Sequence, residues 1–418
     1  MEERERRWFL GVDWGSAEHW ARLADGDGRE LGKRRFAHSG EGLGQLADWA
    51  LEASGGRPEE IWVAIEVPHG PVVESLMERG FRLFSINPKQ SDRFRDRFSP
   101  AGSKDDSRDC EVLSDAVRTD PQAFRPLEPT SALTMELREW SRMHDELRRE
   151  HTRLSNRVRD QLWRYYPQAL QLAGGDLGSD WFLDLWALAP RPELARRLRK
   201  DAVQRLLKRH RIRRIDADGA ITALRAPAIH VAPGTAEAAG AHIRLLAKRL
   251  NLLNRQIAEA QVRLDQLAAS FDEEEQAPGQ PQGQRDAAIL RSLPGVGRLV
   301  HATLLAEAHE PLRRRDYHAL RTLCGVAPVT KRSGKSTVVI RRRAANQRLA
   351  NCLYHCARVA VQRDPICKAK YAALRSRGQT HARSLRAIGD RLLGVACAML
   401  ESQTTYDADR TRDTQRAA

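Results

Sequence analysis

Residues 8–36 read WFLGVDWGSAEHWARLADGDGRELGKRRF, and their pattern decides the fold of the first part of the chain. Three short, largely apolar runs (FLGVD, HWARLA and LGKRRF) are separated by the turn sequences WGSA and DGDGR. Apolar runs of this length bounded by Gly, Asp and Ser predict β-strands. The chain therefore begins with three consecutive strands.

Alternating helices and strands follow. A predicted helix buries Leu43, Leu46, Ala47, Ala50 and Leu51, and after it come strand IWVAIE, helix PVVESLMERG and strand FRLFSI. Three strands, a helix and then alternating strands and helices form the element order of an RNase H-like α/β sheet. We expect this domain over residues 1–125.

Two long helices are predicted next, forming a coiled-coil stalk over 126–275. The seam of the first is interrupted by His144 and His151 and consists of Leu133, Leu137, Trp140, Leu147, Leu154 and Val158. The second seam is unbroken: Ile243, Leu246, Leu250, Leu253, Ile257, Ala260, Leu264 and Leu267. This spacing fits an antiparallel pair within one chain or a contact between two chains. The intervening segment 164–235 holds the basic run LLKRHRIRR and is interpreted as an insert with a solvated face.

The stretch FDEEEQAPGQPQGQRD indicates a flexible linker, assigned to 276–286, before a mainly helical C-terminal domain over 287–403. Polar residues 404–418 predict a disordered tail. In ILRSLPGVGRLVHATLLAEA, the PGVG turn resembles a helix-hairpin-helix motif, in which backbone N–H groups near Gly295 and Gly297 meet a phosphate. The alternative is an ordinary Pro/Gly turn between helices.

The bulk composition favours a nucleic-acid partner. The 418 residues carry 70 Lys and Arg against 55 Asp and Glu, a formal net charge of +15. Six cysteines without a CxxC pair predict reduced, buried thiols rather than disulfides or a zinc site, although Cys352 and Cys356 lie four apart beside His355. No apolar run approaches a membrane span, and MEERERRW has no apolar signal region. We therefore expect a cytoplasmic, nucleoid-associated protein without a membrane partner.

Acidic residues stand at the ends of two predicted strands. Asp13 ends FLGVD, Glu66 ends IWVAIE, and Asp106 and Asp109 share one face of a later helix. A carboxylate that ends an apolar strand is costly to bury unless it is paired or binds metal. Four converging carboxylates suit two Mg²⁺ ions in phosphodiester cleavage. Taken singly, each acid also fits a turn, a salt bridge or a helix dipole, and Asp105 is an uncertain neighbour.

A serine lies in a basic segment near the end of the chain. In LCGVAPVTKRSGKSTVVIRRR, Ser333 is followed by Gly334 and accompanied by Lys331, Arg332, Lys335, Arg341, Arg342 and Arg343. Cations of this density can hold a phosphate and stabilise charge while a hydroxyl attacks phosphorus. The alternative is a phosphate-contacting hairpin in which Ser333 only donates a hydrogen bond. On composition, Ser336 is an equal candidate.

The blocks GVDWGSAEHW, INPKQSDRFRDRFSPAGSKDDSRDCEVLSDAVR, LRSLPGVGRLVHATLLAE and LCGVAPVTKRSGKS resemble the transposases of insertion-sequence family 110 in order and spacing. The resemblance covers most of 8–120 and 287–400. It implies a RuvC-like first domain with an Mg²⁺-binding Asp-Glu-Asp-Asp tetrad. The residues that match the family pattern are Asp13, Glu66, Asp106 and Asp109, with Lys104 before the last two and Ser333 as the serine of the Ser-Gly loop.

The resemblance also implies a mechanism and partners. Ser333 attacks DNA to give a serine–DNA intermediate, and carboxylates of another subunit complete the site. The implied partners are donor and target DNA, a structured bridge RNA that selects them by base pairing, and other copies in a dimer or tetramer. Two departures from the family pattern are Cys110 in place of Ala and Ala345-Asn346 in place of Gly-Asn.

Two other functions compete with this recombinase hypothesis. One is a RuvC-like, metal-dependent nuclease in which Ser333 merely grips phosphate. The other is a catalytically silent nucleic-acid-binding protein.

Overall fold

The computed structural model describes residues 7–97, 106–232, 234–274, 286–334 and 336–408, with only the backbone of Asp106 and of residues 272–274. The chain divides into two compact units, Met1–Thr130 and Ser131–Ala418. The first boundary lies close to the predicted end of the sheet domain at residue 125.

The described part of the first unit holds one six-stranded sheet. Its strands are β1 (Trp8–Trp14), β2 (Glu18–Ala24), β3 (Glu30–Ala37), β4 (Ile61–Ile65), β5 (Arg82–Ser85) and β6 (Arg125–Pro126). Its helices are α1 (Gly40–Ser54), α2 (Pro71–Glu78), α3 (Pro88–Arg95) and α4 (Asp106–Thr119), with 3₁₀ turns at Pro58–Glu60 and Pro121–Ala123. The order is β3-β2-β1-β4-β5-β6, with β1, β4 and β5 parallel and β2 antiparallel to both neighbours. This mixed sheet is consistent with an RNase H-like fold, and β6 is an addition to the prediction.

Helices cover both faces of the sheet. Leu10 and Val12 of β1 belong to the core under α1 and α2, whereas Phe9 packs with Leu113 of α4 on the opposite face. Because alternate strand residues face opposite sides, Gly11 also faces α4. A Cβ at Gly11 would overlap the backbone carbonyl of Cys110. The missing side chain therefore lets α4 lie directly on β1, a close approach of the kind that glycine marks within strands.

The second unit is mainly helical. Its first helices are α5 (Ala132–Tyr165), α6 (Pro167–Ala173), α7 (Asp180–Leu188), α8 (Pro192–Ala195), α9 (Lys200–Arg209), α10 (Ala217–Leu224) and α11 (Thr235–Glu274). After them come α12 (Asp286–Ser292), α13 (Arg298–Glu307), α14 (His309–Arg313), α15 (Tyr317–Leu323), β7 (Val329–Ser333), β8 (Ser336–Ile340), α16 (Gln347–Arg363), α17 (Pro365–Ser376) and α18 (His381–Ser402).

The long helices α5 and α11 pack against each other within the chain. Glu150 pairs with Arg249 across the two helices, and Glu136 pairs with Arg263. The later residue of α5 pairs with the earlier residue of α11, so the two helices run antiparallel. Of the two pairings that the sequence allowed, the structure shows the one within the chain.

The predicted insert is a folded helical layer, α6–α10. Its core contains Tyr166, Phe182 and Leu206, which pack with the seams of α5 and α11. Helix α9 buries Val203, Leu206 and Leu207, while its basic residues are exposed. The prediction of a solvated basic face is confirmed for α9.

The other end of the stalk shares a core with the C-terminal helices. Leu137 and Leu264 belong to the same buried cluster as Leu305 of α13 and Leu353 of α16. The predicted stalk and C-terminal domain are therefore one packed body in this structure. The linker prediction falls mainly on residues 275–285, which lie outside the described residues.

The described start of the predicted tail is ordered. Tyr406 donates its hydroxyl hydrogen to Asp364 at 3.0 Å and its backbone N–H to Ser292 at 2.8 Å. The prediction of disorder is wrong for this part, because tertiary hydrogen bonds hold polar residues that have no local pattern. Residues 409–418 lie outside the described part.

The cysteines and the hydropathy of the helices bear on two expectations from composition. All six cysteines are free and buried in the structure, which confirms the prediction that they are buried. In the described part of the chain, no helix is both long and apolar enough to span a bilayer.

A histidine in the seam of α5 predicts a pH-dependent stability. Burial, followed by the nearby Arg148 charge, lowers the pKa of His144 below its usual value. The unfolded chain therefore binds more protons than the folded chain as the pH falls below about 6.5, and stability is lost with acidification. We expect His144→Leu to reduce the loss of thermal midpoint between pH 7.5 and 5.5.

The matched control is His242→Gln at an exposed position of α11. It should retain the wild-type pH dependence in the same thermal unfolding series. An unchanged pH dependence in His144→Leu would contradict the assignment.

Candidate functional site

Two of the predicted carboxylates lie side by side in the sheet. Asp13 belongs to β1, and Glu66 directly follows β4. The two strands are parallel, and Val12 pairs with Ile65. Asp13 and Glu66 are therefore the next residues in register, on strands about 4.8 Å apart. Both are half-buried, and both share the sheet face of Gly11 and Ala64, which α4 covers.

The third carboxylate lies on α4, the helix that covers this face. Asp109 is 6% exposed, and it accepts a hydrogen bond from Nε of Arg95 at 2.7 Å. Arg95 also donates to Asp92 at 2.7 Å. Burial by itself lowers the pKa of Arg95, but the hydrogen bonds and charges of Asp109 and Asp92 outweigh it and raise that pKa. Arg95 is thus a firmly charged partner of Asp109, which sequence reasoning did not identify.

The fourth carboxylate is placed only by its backbone. Asp106 is the first residue of α4, one turn before Asp109, so the two positions share a helix face. Lys104 and Asp105 lie outside the described residues. Among side chains that the structure describes, no group of three His, Cys, Asp or Glu residues is close enough to hold a metal ion.

The chemistry of this group fits a divalent cation. Asp13, Glu66 and Asp109 supply oxygen atoms, the donors that hard cations such as Mg²⁺ prefer. Cys110, beside them, is completely buried, and burial raises the pKa of its thiol to about 12. A neutral thiol at this position adds no negative charge to the site and does not bind a metal as a thiolate would. Cys110 therefore adds no thiolate ligand to this group.

The turn before α13 has one packed glycine and one open glycine. Gly295 has φ +86°, and a Cβ there would overlap the carbonyl of Cys356 in α16. Gly297 is the N-cap of α13 with φ −90° and is exposed, and a Cβ there would meet nothing within 4 Å. Gly295 therefore fits the turn to the core, while Gly297 leaves the first N–H groups of α13 accessible.

Ser333 lies at the end of a β-hairpin. It is the last residue of β7 and pairs with Ser336, the first residue of β8. Gly334 between them has φ +54°, the left-handed conformation that glycine adopts without strain. Ser333 is exposed, and among the described residues no hydrogen-bond partner of its hydroxyl is found. Because Ser333 and Ser336 face each other, the hairpin offers both hydroxyls.

The basic residues of this segment form two groups. Lys331 and Arg332 are exposed on β7 next to Ser333. Arg341, Arg342 and Arg343 follow β8 at the opposite end of the hairpin, about 17 Å from Ser336 at 3.4 Å per residue. The latter three do not surround Ser333, because the two-residue turn carries the chain away from it. Lys335 lies outside the described residues.

Comparison with known proteins adds family information. A family model for DEDD transposases of IS110, described as a transposase, matches residues 10–167. A second, described as the transposase of the IS116/IS110/IS902 family, matches residues 287–372. The four carboxylate positions fall in the first match, and the PGVG turn and Ser333 fall in the second.

Individual relatives agree with these matches. A predicted mini-circle transposase for IS117 from Streptomyces coelicolor is 31% identical, with 96% of each chain covered. A predicted transposase, y4uE, from Sinorhizobium fredii is 56% identical over 51% of this chain and 59% of its own length. The 42 kDa protein of insertion element IS900 from Mycobacterium paratuberculosis is 25% identical over 95% of this chain.

The contact at Gly11 predicts the effect of adding a methyl group. Gly11→Ala should push α4 from β1 and cost about 1–3 kcal/mol of local stability, as overpacking does. Hydrogen exchange of peptides from β1 and α4 measures this directly. Gly40→Ala is the control, since nothing lies within 4 Å of a Cβ there. Equal exchange in both variants would show that the close approach is unimportant.

Substitutions at the two turn glycines distinguish a turn that contacts DNA from a simple turn between helices. Gly297→Ser should preserve the fold because serine is a good N-cap. Its hydroxyl would accept a hydrogen bond from the N–H groups that a phosphate needs, so DNA affinity should fall severalfold in an anisotropy titration. Gly295→Ala should instead lower the thermal midpoint. Unchanged DNA affinity in a stable Gly297→Ser protein would favour the simple-turn alternative.

Proposed function

The chain belongs to the IS110/IS116/IS902 family of transposases, enzymes that cut and transfer DNA, and from this we propose that it recombines DNA through a serine–DNA intermediate. The family's Asp-Glu-Asp-Asp domain implies a divalent metal, which we assign as Mg²⁺. The observation that carries the proposal is the juxtaposition of Asp13 and Glu66 at the ends of parallel strands, beside an α4 that carries Asp109.

We assign Asp13, Glu66, Asp106 and Asp109 to the metal site. Support comes from the shared sheet face of Asp13 and Glu66 and from the close approach of α4, which carries Asp109, to β1 at Gly11. A bound divalent cation would stabilise negative charge on the phosphate oxygens. Arg95 holds Asp109 and offsets the charge of a buried carboxylate, which is costly to leave unpaired.

We assign Ser333 as the nucleophile. Its exposed position at the hairpin end lets a DNA backbone approach, and Lys331 and Arg332 can hold that phosphate. In the proposed step, the serine oxygen bonds to phosphorus and the bond from phosphorus to the leaving sugar oxygen breaks. The leaving oxygen takes up a proton as the serine hydroxyl loses one. Attack by a different sugar hydroxyl reverses these changes and joins new strands, so no external energy source is required.

The proposed partners follow from the family. Donor and target DNA are the substrates, a structured bridge RNA selects them, and a dimer or tetramer supplies carboxylates of one copy to the serine of another. The charge of +15 favours such nucleic-acid partners. Within the chain, the open N-terminus of α13 at Gly297 and the basic ends of the hairpin are the surfaces we assign to backbone contacts.

The facing serines give a matched test of the nucleophile. Ser333→Ala should abolish a denaturant-resistant protein–DNA adduct on a substrate carrying the element's ends, detected by gel shift after SDS treatment. Ser336→Ala, at the paired position, should retain the adduct. An adduct that persists in Ser333→Ala and is lost in Ser336→Ala would identify Ser336 as the nucleophile.

Substitution of a carboxylate distinguishes the recombinase from the metal-dependent nuclease and from the silent binding protein. Glu66→Gln should abolish recombination in the presence of Mg²⁺ while leaving DNA binding intact. Cleavage that depends on Glu66 but not on Ser333 would support a metal-dependent nuclease. Tight binding with no cleavage by the wild-type chain, with or without guide RNA and Mg²⁺, would support the silent binding protein.

A further inference from the structure

A cavity of about 270 Å³ lies beside the far end of the hairpin, within the second unit. Its walls come from the segment after α15, the residue after β8, and helices α16 and α18. The polar residues of the lining include Arg341, Asn351, Tyr354 and Arg386, and the apolar residues include Ala382 and Leu385. The lining therefore combines cationic, aromatic and apolar side chains.

The cations at this cavity are not neutralised by the protein. Arg341, Arg383 and Arg386 have no ion-pair or hydrogen-bond partner for their guanidinium groups among the described residues. Arg386 is half-buried. Burial, followed by the charges of Arg341 and Arg383, lowers the pKa of Arg386. Arg386 therefore lies near two like charges on exposed side chains, and it has no acidic partner among the described residues.

A neighbouring group shows the same lack of partners. Nε of Arg342 is buried and has no hydrogen-bond partner among the described residues. Arg348 in the same unit is different, because it forms ion pairs with Glu307 and Asp145. These arginines are exposed or half-buried, so the cavity lies beside a positively charged cluster whose guanidinium donors are open to an external anion.

We propose that this cavity binds one unpaired nucleotide of a nucleic-acid strand, with its phosphate between Arg341 and Arg386 and its sugar or base against Leu385 and Tyr354. The inference rests on the proposed function, since it assigns a strand to a surface next to the serine hairpin. It adds Asn351, Tyr354 and Arg386 to the binding residues, none of which stands out in the sequence.

Size and chemistry favour a single nucleotide. The volume lies just below the range of about 300–1,000 Å³ that holds drug-sized ligands, so a longer segment or a duplex does not fit inside. Guanidinium groups bind phosphate oxygens by charged hydrogen bonds, and aromatic rings bind bases or sugars regardless of sequence. A peptide carboxylate would satisfy the charge but would leave the aromatic and apolar lining residues without a matching group.

DNA and RNA strands share this chemistry. A nucleotide unpaired from a DNA duplex during strand exchange and a looped-out nucleotide of a guide RNA present the same phosphate and ring. Comparison of an oligodeoxythymidylate with an oligouridylate distinguishes the two sources.

The test uses the full chain in a Ser333→Ala background, so that its outcome does not depend on the nucleophile. Fluorescent single strands of about 15 nucleotides and a duplex of equal length are titrated by anisotropy. Arg386→Gln should weaken single-strand binding about tenfold, the value of one charged hydrogen bond. It should also reduce the slope of log affinity against log salt by about 0.7. Ala382→Phe should block the cavity and weaken single-strand binding without changing the charge.

The control is Arg363→Gln, which removes the same charge from an exposed site on α16. It lies nine residues beyond Tyr354, about 14 Å along the helix. It should leave the preference for single strand over duplex unchanged. Equal weakening by Arg363→Gln and Arg386→Gln, or normal single-strand binding by a folded Ala382→Phe protein, would overturn the proposal. Because Ala382 is exposed, that variant stays informative if Arg386→Gln fails to fold.

Discussion

The close contact between α4 and β1 is the constraint on which the carboxylate site depends. Gly11 lies where the carbonyl of Cys110 meets the strand, and two residues later β1 places Asp13 on the same face. The contact is fixed at a second point, where the Ser114 hydroxyl donates to the Phe9 carbonyl at 2.9 Å. Asp109 precedes Cys110, so the contact that seats the helix also fixes the backbone position of this acid relative to β1.

How much of this arrangement the sequence could predict depends on the range of the interactions. Asp13 and Glu66 were identified because strand periodicity is local and parallel strands end together. The contact of Arg95 with Asp109 was not, since it joins two helices across residues 98–105 and no local pattern reports it. A glycine inside a strand was the available signal for Gly11, because such a glycine often marks a close backbone approach.

The second unit shows the same limit. The unbroken seam of α11 predicted a helix partner but not which chain supplies it; only the Glu150–Arg249 and Glu136–Arg263 pairs identify α5. His144 interrupts the apolar seam of α5 in the sequence, yet in the structure its side chain is buried. From composition, Arg341, Arg342 and Arg343 were grouped with Ser333. In the structure they lie at the other end of the hairpin, because β8 runs away from the turn next to Ser333. The sequence did not reveal this turn because it is only two residues long.

The hairpin itself links structure to the proposed chemistry. Val338 and Val339 point to opposite faces of β8, yet they are 51% and 58% exposed, so neither face of the hairpin packs on the core. A two-stranded hairpin alone is marginally stable in water, and this one gains little from burial. A nucleophile on such an element takes its final position from the surfaces that cover it. In the proposed recombinase this dependence would be useful, because the serine would become precisely placed only when DNA and other copies of the chain assemble around it, which would limit strand cleavage by an isolated chain.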